Sequence, residues 1–187
     1  MKVSIKNMVC CRCIAVVRQV FEKMDVATVR VQLGEVELEE ELSSVQTSYL
    51  RNWLSEKGFE LLDDRKMVLV ERVKTLIIEI IHGADSIDLT LKLSYLIQQK
   101  LSIDYNYISS LFSNIEGITI EQYLILQRIE RAKEFLEYDE LTLSEIAHKL
   151  GYSSVQYLST QFKKATGFSP SHYKKIKENS RKPLDQL

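Results

Sequence analysis

Three closely spaced cysteines are the residues best suited to binding or redox chemistry. All the cysteines of the 187-residue chain fall within four positions, at Cys10, Cys11 and Cys13, so they cannot form a disulfide framework. Cys10 and Cys13 stand at the predicted start of a helix, where the helix dipole and Arg12 are expected to favour thiolates. Two soft sulfur ligands predict a site for Cu(I), or for Zn(II) shared between two chains, because structural zinc takes four ligands.

Two other uses of the thiols remain open. One is a domain used for dimerisation or protein contact, with idle thiols, and the other is dithiol redox chemistry. A thioredoxin-like enzyme is disfavoured because that fold places a cis-proline beside its CxxC motif, and the chain has only Pro170 and Pro183. His82, His148 and His172 are isolated, and the sequence has no glycine-rich phosphate loop or nucleophile motif. We therefore expect neither enzymatic activity nor an organic cofactor.

The elements that position the cysteines are short and alternate in type. Period-two apolar residues predict strands, and three-and-four spacing predicts helices. This order, βαββαβ, is that of a split βαβ sandwich, so residues 1–64 are expected to form an α+β, ferredoxin-like domain. The predicted segments are a strand at 3–5, a helix at 14–23, strands at 26–33 and 36–38, a helix from Ser43 or Ser44 to Gly58, and a strand at 59–62.

The cysteine loop within this order resembles the heavy-metal-associated domains of copper chaperones and pumps. Their MxCxxC motif corresponds to Met8, Cys10 and Cys13 in the segment MVCCRC, and Gly58-Phe59 stands where that family often has Gly-Tyr or Gly-Phe. The resemblance implies that Cys10 and Cys13 bind the metal and that Met8 is a buried packing residue. The two residues between the ligand cysteines are unusual for that family.

A connecting helix is predicted over residues 65–83. Val70, Val73, Ile77 and Ile80 repeat at the spacing of a helix–helix seam. One interpretation is a linker helix packed on its own domains, and the other is a helix that forms a homodimer. An all-α domain is predicted over 84–178, followed by a tail over 179–187.

The charge of the chain is unevenly distributed. The net charge is −1, but residues 141–187 carry 8 Lys+Arg against 3 Asp+Glu, whereas residues 66–140 carry 8 against 12. A local basic cluster is what contact with phosphates needs. No apolar run approaches the roughly 18–20 residues that span a bilayer, and no secretory signal opens the chain. We therefore expect a cytoplasmic protein that does not bind membranes.

The all-α part contains an internal repeat. Residues separated by 50 positions match without gaps, which predicts two similar three-helix units joined by a helix. The identical pairs are Leu93 and Leu143, Ser94 and Ser144, Tyr107 and Tyr157, Ser109 and Ser159, Phe112 and Phe162, Gly117 and Gly167, and Tyr123 and Tyr173.

The second copy has the pattern of a helix-turn-helix. A short helix over 143–150 precedes a turn at Gly151, and Ser153 or Ser154 is predicted to cap a helix over 155–165. We expect Tyr157, Leu158 and Phe162 to point inward. Gln can pair with adenine, Ser and Thr can reach several bases, and Lys can neutralise phosphates. The predicted DNA-binding residues of this copy are Ser154, Val155, Gln156, Ser159, Thr160, Lys163 and Lys164, and those of the first copy are Tyr105, Asn106, Ser109 and Ser110.

These residues carry a resemblance to a known family. The segment GYSSVQYLSTQFKKATGFSPSHY, at 151–173, resembles the C-terminal signature of AraC-type transcription regulators, and residues 128–136 resemble their linker helix. The resemblance covers about residues 85–175. It implies two recognition helices in successive major grooves, about 34 Å apart, with double-stranded DNA and the transcription machinery as partners.

The two copies differ at positions that matter for DNA. Family members often have a basic residue at Ser110 and an Arg at Thr160, and Ser113-Asn114 stands where the second copy has Lys163-Lys164. We therefore expect the second copy to dominate DNA affinity and the first to orient the protein. The function expected is a sequence-specific transcription regulator modulated by soft metal. The alternative is a metal-binding or dimerising interaction module whose helical half does not bind DNA independently.

Overall fold

A computed structural model describes residues 1–83, 93–138 and 140–176 of the chain. The chain divides into two compact units, 1–75 and 76–187. The predicted start of the second domain at residue 84 and the predicted tail at 179–187 lie outside the described residues. Within the described ranges, no helix has the length and apolar character needed to cross a bilayer.

Unit 1 contains a four-stranded antiparallel sheet with strand order β2-β3-β1-β4. Its core is built from side chains of the central strand and both helices, including the fully buried Ile5, Phe21 and Leu54. Ser43 begins α2 through a reciprocal capping box with Gln46. The order of elements follows the sequence prediction: β1 (Lys2–Lys6), α1 (Cys11–Lys23), β2 (Thr28–Gln32), β3 (Glu35–Leu38), α2 (Ser44–Glu56) and β4 (Glu60–Leu62).

Helix α3 (Arg65–His82) begins where the connecting helix was predicted, but the division between the units falls within it, after Thr75. Its first eleven residues belong to unit 1, and two of them bond to the sheet side of that unit. The Glu71 carboxylate accepts a hydrogen bond from the backbone N–H of Asn7 at 3.0 Å, and Arg72 pairs with Glu35 at 2.7 Å. Long-range side-chain contacts of this kind place the first half of α3 in the N-terminal unit.

The described helices of unit 2 preserve the 50-residue repeat in three dimensions. The second and third helices of each copy begin 50 positions apart, and both second helices end at a glycine with positive φ, Gly117 and Gly167. Glycine suits these ends because it adopts the left-handed conformation without a Cβ penalty. The bounds are α4 (Leu93–Leu101), α5 (Tyr105–Glu116), α6 (Ile120–Tyr138), α7 (Leu143–Lys149), α8 (Val155–Thr166) and α9 (Pro170–Ile176).

Candidate nucleic-acid interface and thiol pair

Helix α8 is fixed in its unit by a cap at one end and by a buried stripe along one side. The Ser154 side chain accepts a hydrogen bond from the backbone N–H of Tyr157 at 3.1 Å, which satisfies one orphan donor of the first turn. Leu158 and Phe162 are fully buried, and the Phe162 ring meets the ring of Tyr173 on α9 edge to face at 5.4 Å. These contacts leave the opposite side of α8 without internal packing.

The outward side of α8 is polar and basic. Its residues run from the N-cap to the last turn, a length of about 15 Å at 1.5 Å per residue. The diameter of a helix fits the major groove, which is about 12 Å wide. The hydroxyl of Thr160 donates to the carbonyl oxygen of Gln156 at 2.9 Å, so this threonine is partly engaged by its own helix. The exposed residues are Gln156, Thr160, Lys163 and Lys164, and the half-buried ones are Ser154, Val155 and Ser159.

The inward orientation predicted for Tyr157 is wrong. This side chain is 49% exposed, whereas Leu158 beside it is fully buried. The Tyr157 ring instead packs edge to face against Tyr152 in the preceding turn, with ring centroids 5.8 Å apart. One residue is 100° around a helix, so Tyr157 lies at the border of the buried stripe rather than within it.

Helix α5 repeats this construction. Asp104 caps it by accepting a hydrogen bond from the backbone N–H of Tyr107 at 3.0 Å, Ile108 and Phe112 are fully buried, and the rings of Phe112 and Tyr123 meet at 5.7 Å. Its outward side carries no lysine or arginine. Asn106, Ser110 and Asn114 are exposed, and Tyr105, Ser109 and Ser113 are half-buried.

Tyr105 is already engaged within the protein. Its hydroxyl donates to the carboxylate of Glu121, and burial together with that carboxylate raises the pKa of the phenol. With Asp104 as the cap, two acidic residues therefore lie at the start of α5. In the second copy the residues at the positions of Asp104 and Glu121 are Ser154 and Ser171. The negative charge at the start of α5 would repel a phosphate. The first turn of α8 therefore lacks this repulsion.

A cation beside the start of α8 was missed by the sequence analysis. The Arg128 guanidinium on α6 lies 5.5 Å from the ring centroid of Tyr152, which is buried in the turn between α7 and α8. Burial lowers the pKa of Arg128, although the charge on its guanidinium persists at neutral pH. No sequence spacing links a residue in mid-helix to a turn 24 positions later.

Polar side chains are also buried inside α6. The Gln127 side chain is fully buried between the ring nitrogen Nε2 of His82, at 3.0 Å, and the hydroxyl of Tyr123, which accepts a hydrogen bond from Gln127 at 3.1 Å. Glu130 and Lys133 form a buried ion pair at 2.7 Å. Because Tyr123 also contacts Phe112, these bonds connect the end of α3 with the core behind α5.

The thiol pair lies at the start of α1 in unit 1. The Sγ atoms of Cys10 and Cys13 are 3.6 Å apart, and the backbone N–H of Cys13 donates to the carbonyl oxygen of Cys10 at 3.0 Å. Both cysteines are half-buried, whereas Cys11 is exposed. Met8 is fully buried, as the resemblance implied. The loop therefore directs two of its three thiols towards each other.

The two thiols differ in acidity. Burial disfavours the thiolate of Cys10, but hydrogen bonds from Cys13 and the backbone and charge of Arg12 outweigh it and lower its pKa. Burial raises the pKa of the Cys13 thiol, and the neighbouring Cys10 raises it further. Burial thus opposes the thiolate at Cys13, where the helix start was expected to favour it.

The donor set fits a soft ion held by two sulfurs. Two thiolates about 2.3 Å from a tetrahedral Zn(II) would be about 3.8 Å apart, close to the 3.6 Å separation of the two Sγ atoms. The described residues include no cluster of three or more His, Cys, Asp or Glu that could hold a metal ion. The two sulfurs could thus supply two ligands of a tetrahedral site whose other donors come from elsewhere, and as soft ligands they also suit Cu(I).

Comparison with known proteins identifies the helical segment. Residues 97–176 match the family model described as "Helix-turn-helix domain". The chain is 30% identical over 132 residues to the uncharacterized HTH-type transcriptional regulator YtdP of Bacillus subtilis (strain 168), covering 68% of this chain and 17% of that protein. It is 30% identical over 84 residues to the Msm operon regulatory protein of Streptococcus mutans serotype c, covering 45% of this chain and 30% of that protein.

A solved structure is similar over nearly two thirds of the chain. The C-terminal domain of AraT, a response regulator from Geobacillus stearothermophilus, superimposes with a TM-score of 0.51 at 32% identity, covering 63% of this chain and 92% of that one. The two curated relatives are matched over less than a third of their own length. Residues 97–176 therefore form a helix-turn-helix domain like those found in transcription regulators.

Proposed function

We propose that this chain is a sequence-specific, DNA-binding transcription regulator of the AraC type, acting in the cytoplasm. The observation that carries the proposal is the outward side of α8. Helix α8 is capped at its start and packed along its inner side, and its outer side exposes Gln156, Thr160, Lys163 and Lys164. The matched helix-turn-helix relatives and the repeated geometry of α5 support two recognition helices that read one face of a duplex.

The two recognition helices have unequal roles in this proposal. Helix α8 carries Lys163 and Lys164 near its end, whereas α5 has none and begins beside Asp104 and Glu121. Phosphate contacts supply most of the sequence-independent affinity for DNA. The second copy of the repeat therefore provides most of the binding energy, and Asn106, Ser109 and Ser110 of the first copy fix the orientation. Tyr105 contributes by holding the start of α5.

The N-terminal unit binds soft metal in this proposal. The strand order β2-β3-β1-β4 and the element order support a ferredoxin-like domain similar to heavy-metal-associated domains. Cys10 and Cys13 hold one Cu(I), which prefers two thiolates. Zn(II) would require further ligands, for example from a second copy in a homodimer. We propose further that DNA affinity depends on occupancy of the thiol pair.

The DNA-binding proposal is tested by selection of bound sequences from random duplex DNA, with and without Cu(I). A preferred operator with two half-sites about one helical turn apart is expected. Absence of any salt-dependent binding to duplex DNA would instead favour the interaction module. Equal DNA affinity with and without Cu(I), at saturating occupancy, would remove the metal dependence while leaving the DNA-binding function intact.

A further inference from the structure

Arg128 is a half-buried cation for which the described residues provide no carboxylate. Its guanidinium contacts the Tyr152 ring, and its Nε atom is buried without a hydrogen-bond partner. Its two Nη groups are not buried without a partner in this way, and they would be the ones to meet an incoming anion. Arg131, three positions later on the same helix, also has a buried Nε without a partner, but its guanidinium pairs with Glu134.

Leaving a half-buried charge without a counter-ion is unfavourable. Water is partly removed from the guanidinium, and the π-face of one tyrosine replaces only part of that hydration. The tyrosine hydroxyl does not help, since the Tyr152 oxygen is itself buried without a partner. An anion placed against Arg128 would supply the missing interaction.

The surroundings of Arg128 belong to the DNA-facing end of α8. Tyr152 lies in the turn before this helix and packs against Tyr157 in its first turn. Tyr157 is half-exposed, and its hydroxyl accepts a hydrogen bond from Gln161 at 3.3 Å, which leaves its own proton available to donate. We call Arg128, Tyr152 and Tyr157 the Arg–Tyr cluster. It combines a cation, an exposed phenol and the positive end of a 12-residue helix.

We propose that the Arg–Tyr cluster binds one phosphate of the DNA backbone, with the Arg128 guanidinium and the Tyr157 hydroxyl as donors. A guanidinium presents planar, paired N–H groups that match two phosphate oxygens. The site takes a phosphodiester and carries no sequence preference, so it anchors the start of α8 while the outward side of that helix reads bases. This inference rests on the proposed DNA-binding function.

The test compares full-length variants on a selected operator and on unrelated duplex DNA over a range of salt concentrations. Arg128→Gln removes the cation, Arg128→Lys keeps the charge without the planar fork, and Tyr157→Phe removes the phenol hydroxyl. Arg131→Gln is the matched control, because that arginine already has Glu134 as a partner. Thermal unfolding of each variant checks that the domain is folded.

The proposal predicts that Arg128→Gln weakens binding about tenfold on both duplexes and lowers the log–log salt slope by about 0.9. Arg128→Lys should keep the slope and lose several-fold in affinity, and Tyr157→Phe should do the same. Ethylation of one operator phosphate should weaken the wild type but leave Arg128→Gln unaffected.

Binding by Arg128→Gln with the slope and affinity of Arg131→Gln would overturn the proposal. If Arg128→Gln does not fold, wild-type affinity in both Arg128→Lys and Tyr157→Phe would overturn it equally. Failure of the proposed function looks different, because the wild type itself would then show no salt-dependent DNA binding.

Discussion

The ring of Phe162 meets the ring of Tyr173 edge to face with centroids 5.4 Å apart, and the same contact occurs 50 positions earlier between Phe112 and Tyr123, at 5.7 Å. In each copy this contact joins the second helix to the third. The repeat in sequence thus corresponds to a repeated ring contact, which packs against the inner side of each recognition helix while its outer side stays exposed.

Removing the ring contact between Phe162 and Tyr173 should destabilise unit 2. Phe162→Ala is expected to reduce the free energy of unfolding by about 3–5 kcal/mol, because it leaves a cavity under α8. Urea denaturation followed by circular dichroism measures the change. Phe168→Ala is the matched control, since Phe168 is 42% exposed and its loss should have little effect. Similar losses in the two variants would show that the ring contact is not a main support of α8.

Glu35 should make the stability of unit 1 dependent on acid pH. Burial opposes its charge, but Lys2 and Arg72 outweigh burial and lower its pKa below the ordinary 4.5. The unfolded chain therefore takes up the proton first, so the stabilisation is complete above about pH 5 and is lost as pH falls through the lowered pKa.

Urea unfolding of Glu35→Gln between pH 3 and pH 7 tests this dependence. The variant should be less stable than the wild type by about 1–3 kcal/mol at neutral pH, and the difference should shrink at low pH. Glu40→Gln serves as control, because Glu40 is exposed to solvent. A difference between wild type and Glu35→Gln that is constant with pH would contradict this role.

The thiol pair should bind one Cu(I) through two of the three cysteines. Competition against a Cu(I) chelator is expected to give one ion per chain in the wild type and in Cys11→Ser. Cys10→Ser and Cys13→Ser should each lose most of the affinity, because one sulfur alone cannot hold the ion. An equal loss in Cys11→Ser would contradict the assignment of ligands from the 3.6 Å Sγ–Sγ separation.

Gln127 should stabilise the helical unit through its buried hydrogen bonds. Gln127→Ala leaves the groups on His82 and Tyr123 without this partner, which is expected to lower the free energy of unfolding by about 1–3 kcal/mol. Gln98→Ala is a suitable control, since Gln98 is exposed on α4. Equal stability of the two variants would show that the bonds to Gln127 contribute nothing net.

Much of the fold could be predicted because local signals agree with the tertiary structure. The matches at an offset of 50 predicted the equal placement of α5 and α8, and glycine marked the end of both helices. Ser43 was one of two predicted caps for α2. Its capping box with Gln46 shows that Ser43 is the N-cap. Short-range rules succeed at such positions, since the partner lies within one helical turn.

The features that could not be predicted depend on contacts that form only in the folded chain. Tyr157 was assigned to the core from its spacing, but its ring lies beside the buried stripe and packs against Tyr152 in the preceding turn. Arg128 meets that turn only after α6 and α8 are packed. The division after Thr75 likewise reflects bonds from α3 to Asn7 and Glu35, which no periodicity records.

The most direct test of the account is the salt dependence of DNA binding by the variant Lys163→Gln/Lys164→Gln. Both lysines are exposed on α8, so their replacement should not disturb the fold. The account predicts a steep log–log slope for the wild type, reduced by about 1.8 in this variant at about 0.9 per phosphate. Ser113→Ala/Asn114→Ala, the matched change on α5, should leave the slope unchanged. A wild-type slope in the lysine variant, or equal losses from both pairs, would contradict the leading role of α8.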